Sequence, residues 1–200
     1  MQVMRYDPDI HHRRSIRLKG YDYSMAGAYF VTTCVQGREC LFGAVADGVM
    51  HLNEAGRMIR KWWLKLPDKF PDVAIDEYVI MPNHFHGIIT IVGAPPRGRP
   101  VIDGEYGRTP VEYAKPGRPH GAAPTVGNAM NWFKTMTTNA YIKGVKTADW
   151  LPFHGRLWQR NYHERIIRSD AELDAARKYI GENPLQWDMD TENPANLAMP

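Results

Sequence analysis

Apolar positions along this chain of 200 residues change period several times, and each change marks an element. Ala28-Tyr29-Phe30-Val31-Thr32-Thr33-Cys34-Val35 concentrates β-branched and aromatic residues and predicts a strand over 28–35. A hairpin is predicted over 40–52, turning at Asp47-Gly48, a pair suited to the positive φ of a tight turn. Asn53 is placed to cap a helix over 54–66, in which Met58, Ile59, Trp62, Trp63 and Leu66 recur at helical spacing as a core-facing stripe. Pro67 and Pro71 close that helix. Two strands follow, over 73–80 and 84–92, and the short Met81-Pro82-Asn83 link between them predicts an antiparallel hairpin.

Over 93–123 the pattern breaks. Gly, Pro and Arg dominate, as in Pro95-Pro96-Arg97-Gly98-Arg99-Pro100, with no apolar periodicity, so the stretch reads as a long flexible insertion. Periodicity resumes at Thr125, a cap for a helix over 126–142 whose apolar side carries Met130, Phe133, Met136 and Tyr141. A fourth strand with extended flanks is predicted over 157–167. A last helix then runs from Ser169 or Asp170 to about Gly181, where Asn183-Pro184 stops it. The order strand, helix, strand, strand, helix, strand predicts an α+β, ferredoxin-like βαββαβ fold. It is an antiparallel sheet with helices on one face, extended by an added C-terminal helix. One domain over 1–200 accommodates all of this, with residues 1–27 as a basic N-terminal arm.

Composition changes this picture little. The net charge of +3 does not by itself separate a nucleic-acid binder from other soluble proteins. Its placement is more telling, because Arg13, Arg14, Arg17 and Lys19 crowd the arm and are candidate phosphate contacts. A solvated terminus is the commoner fate of such a run. Cys34 and Cys40 are the two cysteines and form no CxxC pair, which argues against a thiolate zinc cluster or a disulfide framework. No apolar leader and no bilayer-length apolar run is visible, so a cytoplasmic protein without a membrane partner is expected.

The chemistry gathers in two places. In a strand, His84 and His86 project from one face while Phe85 points to the other, so two imidazoles lie side by side. That is half of a divalent-metal site, although strand histidines more often serve as ordinary hydrogen-bonding groups. The second place is Lys178-Tyr179-Ile180-Gly181-Glu182-Asn183-Pro184, where Tyr179 and Asn183 are neighbours on a helix face or its terminal turn. The Asn183 carboxamide oxygen is a hard ligand suited to Mg²⁺ or Mn²⁺, and Tyr179 carries a phenol that becomes a nucleophile once deprotonated.

His84-Phe85-His86 after Met81-Pro82-Asn83 resembles the His-hydrophobic-His signature of HUH single-strand endonucleases. Leu157-Trp158-Gln159-Arg160, followed by Tyr179-Ile180 and Asn183-Pro184, resembles the C-terminal half of single-tyrosine transposases, most of all the REP-associated branch. The resemblance implies a ferredoxin-like fold whose added helix carries the tyrosine. It also implies a metal-dependent nuclease and strand transferase acting through a 5′-phosphotyrosine. Tyr179 would be the nucleophile, and His84, His86 and Asn183 would hold the Mg²⁺ or Mn²⁺. The partner would be single-stranded or hairpin DNA, with Arg160, Arg165 and Arg168 joining the arm as phosphate contacts. Homodimers occur among such enzymes, so action of Tyr179 in its own site or a partner's stays open. The alternative is a hairpin- or single-strand-binding module of the same fold that does not cut. Tyr162 is the rival nucleophile, ranked lower for want of a helical carboxamide partner, and His163 and Glu164 are expected to be structural. Tyr162 and Trp158 are candidate base-stacking rings, with core packing preferred for Trp158.

Overall fold

The computed structural model describes residues 26–92 and 125–197; the arm residues Arg13, Arg14, Arg17 and Lys19 and the 93–123 insertion lie outside them. The strands are β1 (Gly27–Cys34), β2 (Gly43–Ala46), β3 (Val49–Leu52), β4 (Val73–Ile80), β5 (His84–Ile91) and β6 (His163–Ile167). The helices are α1 (Glu54–Leu64), the single turn α2 (Leu66–Lys69), α3 (Val126–Thr147) and α4 (Asp170–Glu182). One four-stranded sheet has the order β4-β5-β1-β6, with each neighbouring pair antiparallel. Leaving out the β2–β3 hairpin and α2, this is the predicted βαββαβ arrangement, with the first and third strands of the repeat central.

Local chemistry sets the element ends. Asp47 and Gly48 both take positive φ, 50° and 71°, which gives the β2–β3 turn a twist that matches its strands. The side chains of Asn53, Thr125 and Ser169 accept from Gly56, Asn128 and Glu172 N–H and start α1, α3 and α4.

The sheet has two dressed faces. Tyr29, Val31, Phe85, Ile89 and Ile91 point to one side and are buried with Ile59 and Trp63 of α1 and Met130 and Phe133 of α3. Ring contacts mark the centre of this core, with Trp63 4.5 Å from Phe85 and 5.4 Å from Phe133. On the opposite side α4 crosses the sheet, clamped to β4 by Arg177, whose Nε and Nη2 donate to the two carboxylate oxygens of Asp76 at 3.1 and 2.6 Å. Between Ile75 and Tyr78 the β4–β5 register shifts, so Asp76 and Glu77 share one partner position on β5. This bulge aims Asp76 at the helix.

Several predicted boundaries move: the first helix ends at Leu64, short of Leu66, and Pro67 lies in the first turn of α2, where its missing N–H costs nothing. The fourth strand is shorter than 157–167, because Trp158 makes only an isolated bridge to Val35 and turns inward. There it is buried and donates from Nε1 to Thr137 Oγ1 at 2.9 Å, which bears out core packing. α3 runs on to Thr147 past Gly144, where any side chain would strike the Trp150 ring. After α4 the chain does not stop but winds through a 3-10 stretch, Asn183–Met189, and returns to the histidine end of β5.

Candidate active site

β5 delivers His84 and His86 to the α4 face, beside Cys34 and Thr32 of β1 in the antiparallel register. Their rings are 4.8 Å apart and both are buried. α4 brings Tyr179 edge-on to His86, with ring centroids 5.3 Å apart, while leaving the tyrosine 43% exposed. Asn183, at the end of α4, is buried and close enough to both His84 and Tyr179 to act on them. Tyr179, Asn183, His84 and His86 are therefore brought together from segments roughly a hundred residues apart.

Hydrogen bonds fix which histidine atoms are free. Asn83 donates from Nδ2 to the carbonyls of Arg38 and Glu192 at 2.9 and 2.7 Å, so its Oδ1 is left to accept. The partner of that oxygen is His84 Nδ1 at 2.9 Å, which must then carry the proton. The unprotonated Nε2 of His84 is buried with no hydrogen bond, and so is Oδ1 of Asn183. His86 is oriented through Nδ1 by Thr32 Oγ1 at 2.7 Å and by stacking on Phe30, 5.4 Å away.

Burial favours the neutral imidazoles. It lowers the His84 pKa against the opposing pull of Asp190 and Glu192. It pushes His86 down to about 3, helped by the charges of His84 and His163. Neutral imidazoles are the ligating form. Burial also raises the Tyr179 phenol, and the Asp190 carboxylate adds to that effect.

The donor set fits a hard divalent cation: two neutral imidazoles, one orphaned lone pair and an orphaned amide oxygen. Asp190, in the returning tail, places Oδ2 3.7 Å from His84 Nε2 and supplies a carboxylate to the same space. Among the described residues no three His, Cys, Asp or Glu side chains form a ligating cluster, and the amide oxygen of Asn183 is the further hard donor beside the two histidines.

The remaining candidates separate by face. Arg165 shares the α4 face, opposite Phe30 in the register, with its guanidinium 3.8 Å from Glu172. Arg168 starts the turn into α4, its N–H bonded to Glu172, and Arg160 lies in the exposed stretch before β6. Tyr162 donates to Glu164 Oε2 at 2.7 Å, and Glu164 lies opposite Val31, on the α1–α3 face away from the histidines. His163, by contrast, borders the site with His86. Asn83, Thr32, Phe30 and Asp190 were not among the sequence-derived candidates. Only Asn83 had a signal, its place directly before the first histidine.

Fold and site together define an α+β protein with an antiparallel sheet whose histidine strand faces a tyrosine-bearing helix. The solved REP-associated tyrosine transposase bound to a REP hairpin has the same fold, with a TM-score of 0.52 and 18% identity over 86% of this chain and 73% of that one. No family model matches the chain. The chain belongs to the family of an uncharacterized protein from Haemophilus influenzae, 38% identical over 187 residues that cover 93% of this chain and 96% of the relative. No helix among the described residues is long and apolar enough to cross a membrane.

Proposed function

We propose that this protein is a metal-dependent transposase-type nuclease that cuts single-stranded or hairpin DNA through a covalent bond to Tyr179. The observation that carries the reading is the convergence of a partly exposed tyrosine, two neutral imidazoles and the orphaned Asn183 oxygen. The hairpin-bound solved protein of the same fold supports DNA as the partner.

His84, His86 and Asn183 would hold Mg²⁺ or Mn²⁺, with Asp190 beside them. When bound, such an ion would supply positive charge to offset that of the scissile phosphate and the phenolate. Asn83 and Thr32 keep the imidazoles in their ligating orientation. Tyr179, partly exposed, gives its proton to solvent. Its Oη then forms a bond to phosphorus while the bond to the 3′-oxygen breaks, and that oxygen takes a proton from solvent, leaving a 5′-phosphotyrosine and a 3′-hydroxyl. A second 3′-hydroxyl reverses the step, so strand transfer needs no nucleotide cofactor. Arg165 and Arg168 lie beside α4, where they can meet flanking phosphates.

Incubation with 3′-labelled single-stranded DNA and Mn²⁺ tests the reading: the label should become covalently attached to the protein. Tyr179→Phe should remove the adduct and leave binding intact, whereas a persistent adduct would refute Tyr179 as the nucleophile. His84→Ala or His86→Ala should depress metal-dependent cleavage far more than binding. Hairpin binding without any adduct would make the protein a non-catalytic binding module.

A further inference from the structure

Between α4 and the β1–β6 edge of the sheet lies a cavity of about 540 Å³ that Tyr179 and His86 help to line. We propose that this cavity is a subsite for a single unstacked nucleobase, that of a nucleotide next to the phosphate Tyr179 attacks. The inference rests on the reading of Tyr179 as a DNA nucleophile and adds to it the substrate group bound beside it.

Phe30 and Ile167 line the sheet side, and Ala171, Ala175 and Ala176 line the α4 side. Three alanines leave the space beneath the helix unfilled, where longer apolar side chains would occupy it. The volume falls within the ~300–1,000 Å³ typical of small-ligand sites. Its walls are predominantly apolar, which suits a base or an aromatic ring and not a sugar-phosphate. Phe30 offers a ring for stacking, already arranged against His86 at 5.4 Å and Tyr179 at 5.8 Å.

Charge at the rim is consistent with a chain that continues past the base. Arg165 borders the cavity with a side chain 66% exposed, and His163 borders it beside His86. The one carboxylate in the lining, Glu172, is turned to the Arg168 N–H at 3.0 Å and to Arg165, so it does not face a phosphate unopposed. A base seated between Phe30 and the alanines is adjacent to the phosphate position at Tyr179. No other part of a nucleic acid both lies that close to the phosphate and prefers an apolar cavity.

The test uses a trinucleotide with 2-aminopurine at its centre, whose fluorescence falls when the base stacks, and an otherwise identical trinucleotide with an abasic centre as competitor. The full chain should quench the probe saturably, and the abasic competitor should displace it at least about five-fold less well than the parent trinucleotide. Ala176→Leu and Ala175→Leu, which fill the cavity while keeping a strong helix former, should weaken probe binding by a similar factor. Equal competition by the abasic strand overturns the subsite without requiring any variant to fold. So does unchanged binding in leucine variants that melt like the parent, and so does the absence of saturable quenching. Cleavage is not needed for this readout. A protein that forms the Tyr179 adduct but ignores the base loses only the subsite, and one that binds the base but forms no adduct loses only the nuclease reading.

Discussion

Gly87 follows the second histidine directly, and its missing side chain lets Trp63 lie against the back of β5. A Cβ at this position would stand 2.6 Å from Trp63 Cζ2 and 2.9 Å from two atoms of the Phe85 ring. Carbon pairs prefer about 3.5–4.0 Å, so Gly87→Ala demands movement of roughly an ångström. Trp63 has little room to retreat, being fully buried and held between Phe85 and Phe133. Overpacking of this kind costs about 1–3 kcal/mol. Against it stands the usual gain of replacing glycine, about 0.4–1 kcal/mol through the unfolded chain. At mid-range values overpacking wins, leaving a net loss of about 1.3 kcal/mol and a fall in Tm of about 3–5 °C for a chain of this size. Thermal unfolding followed by circular dichroism measures it. The added methyl should also couple to Trp63: in the Gly87→Ala/Trp63→Phe double variant the smaller ring relieves the clash, so the combined loss should be less than the sum of the single losses. A Tm that is unchanged or raised in Gly87→Ala, or losses that simply add, would refute the packing argument.

Asn83→Ala should leave His84 Nδ1 without its acceptor and lower metal affinity about 10–100-fold, read by Mn²⁺ titration of tyrosine fluorescence; unchanged affinity would remove Asn83 from the site. Arg177→Ala should release the clamp between α4 and β4 and lower adduct yield more than DNA binding, and the charge-swapped pair Asp76→Arg/Arg177→Asp should recover part of it. Failure of the swap alongside normal adduct yield in Arg177→Ala would show that the clamp does not position Tyr179. Lys134, which donates to the Gln159 carbonyl at 2.6 Å, is pushed down to about 8 by burial. Below that pH it is charged in both states and the burial penalty is felt in full. Above it the folded protein sheds the proton while the unfolded chain keeps it, so stability should rise with pH between about 8 and 9. At still higher pH the Cys34 and Tyr141 groups, both pushed up to about 12, act in the opposite sense. Lys134→Met should flatten that rise in Tm; an identical slope would contradict the assignment.

Sequence by itself determined the order of elements and the faces they present, because those follow from short-range periodicity and capping chemistry. The period-2 run after Asn83 placed His84 and His86 on one side of a strand, the caps Asn53, Thr125 and Ser169 started their helices, and Asp47-Gly48 turned its hairpin. It also paired Tyr179 with Asn183, since both lie within one helical turn. Local pattern could not show that Trp158 leaves its strand for Thr137 Oγ1, because that choice depends on a partner some twenty residues away. Nor could it place Asp190 beside His84, or show that Asn83 fixes the histidine tautomer through carbonyls of Arg38 and Glu192. Only the tertiary structure decided that α4 crosses the sheet on the histidine face. The decision lies in contacts between distant residues, the Arg177–Asp76 clamp and the Tyr179–His86 ring contact, which no local propensity encodes.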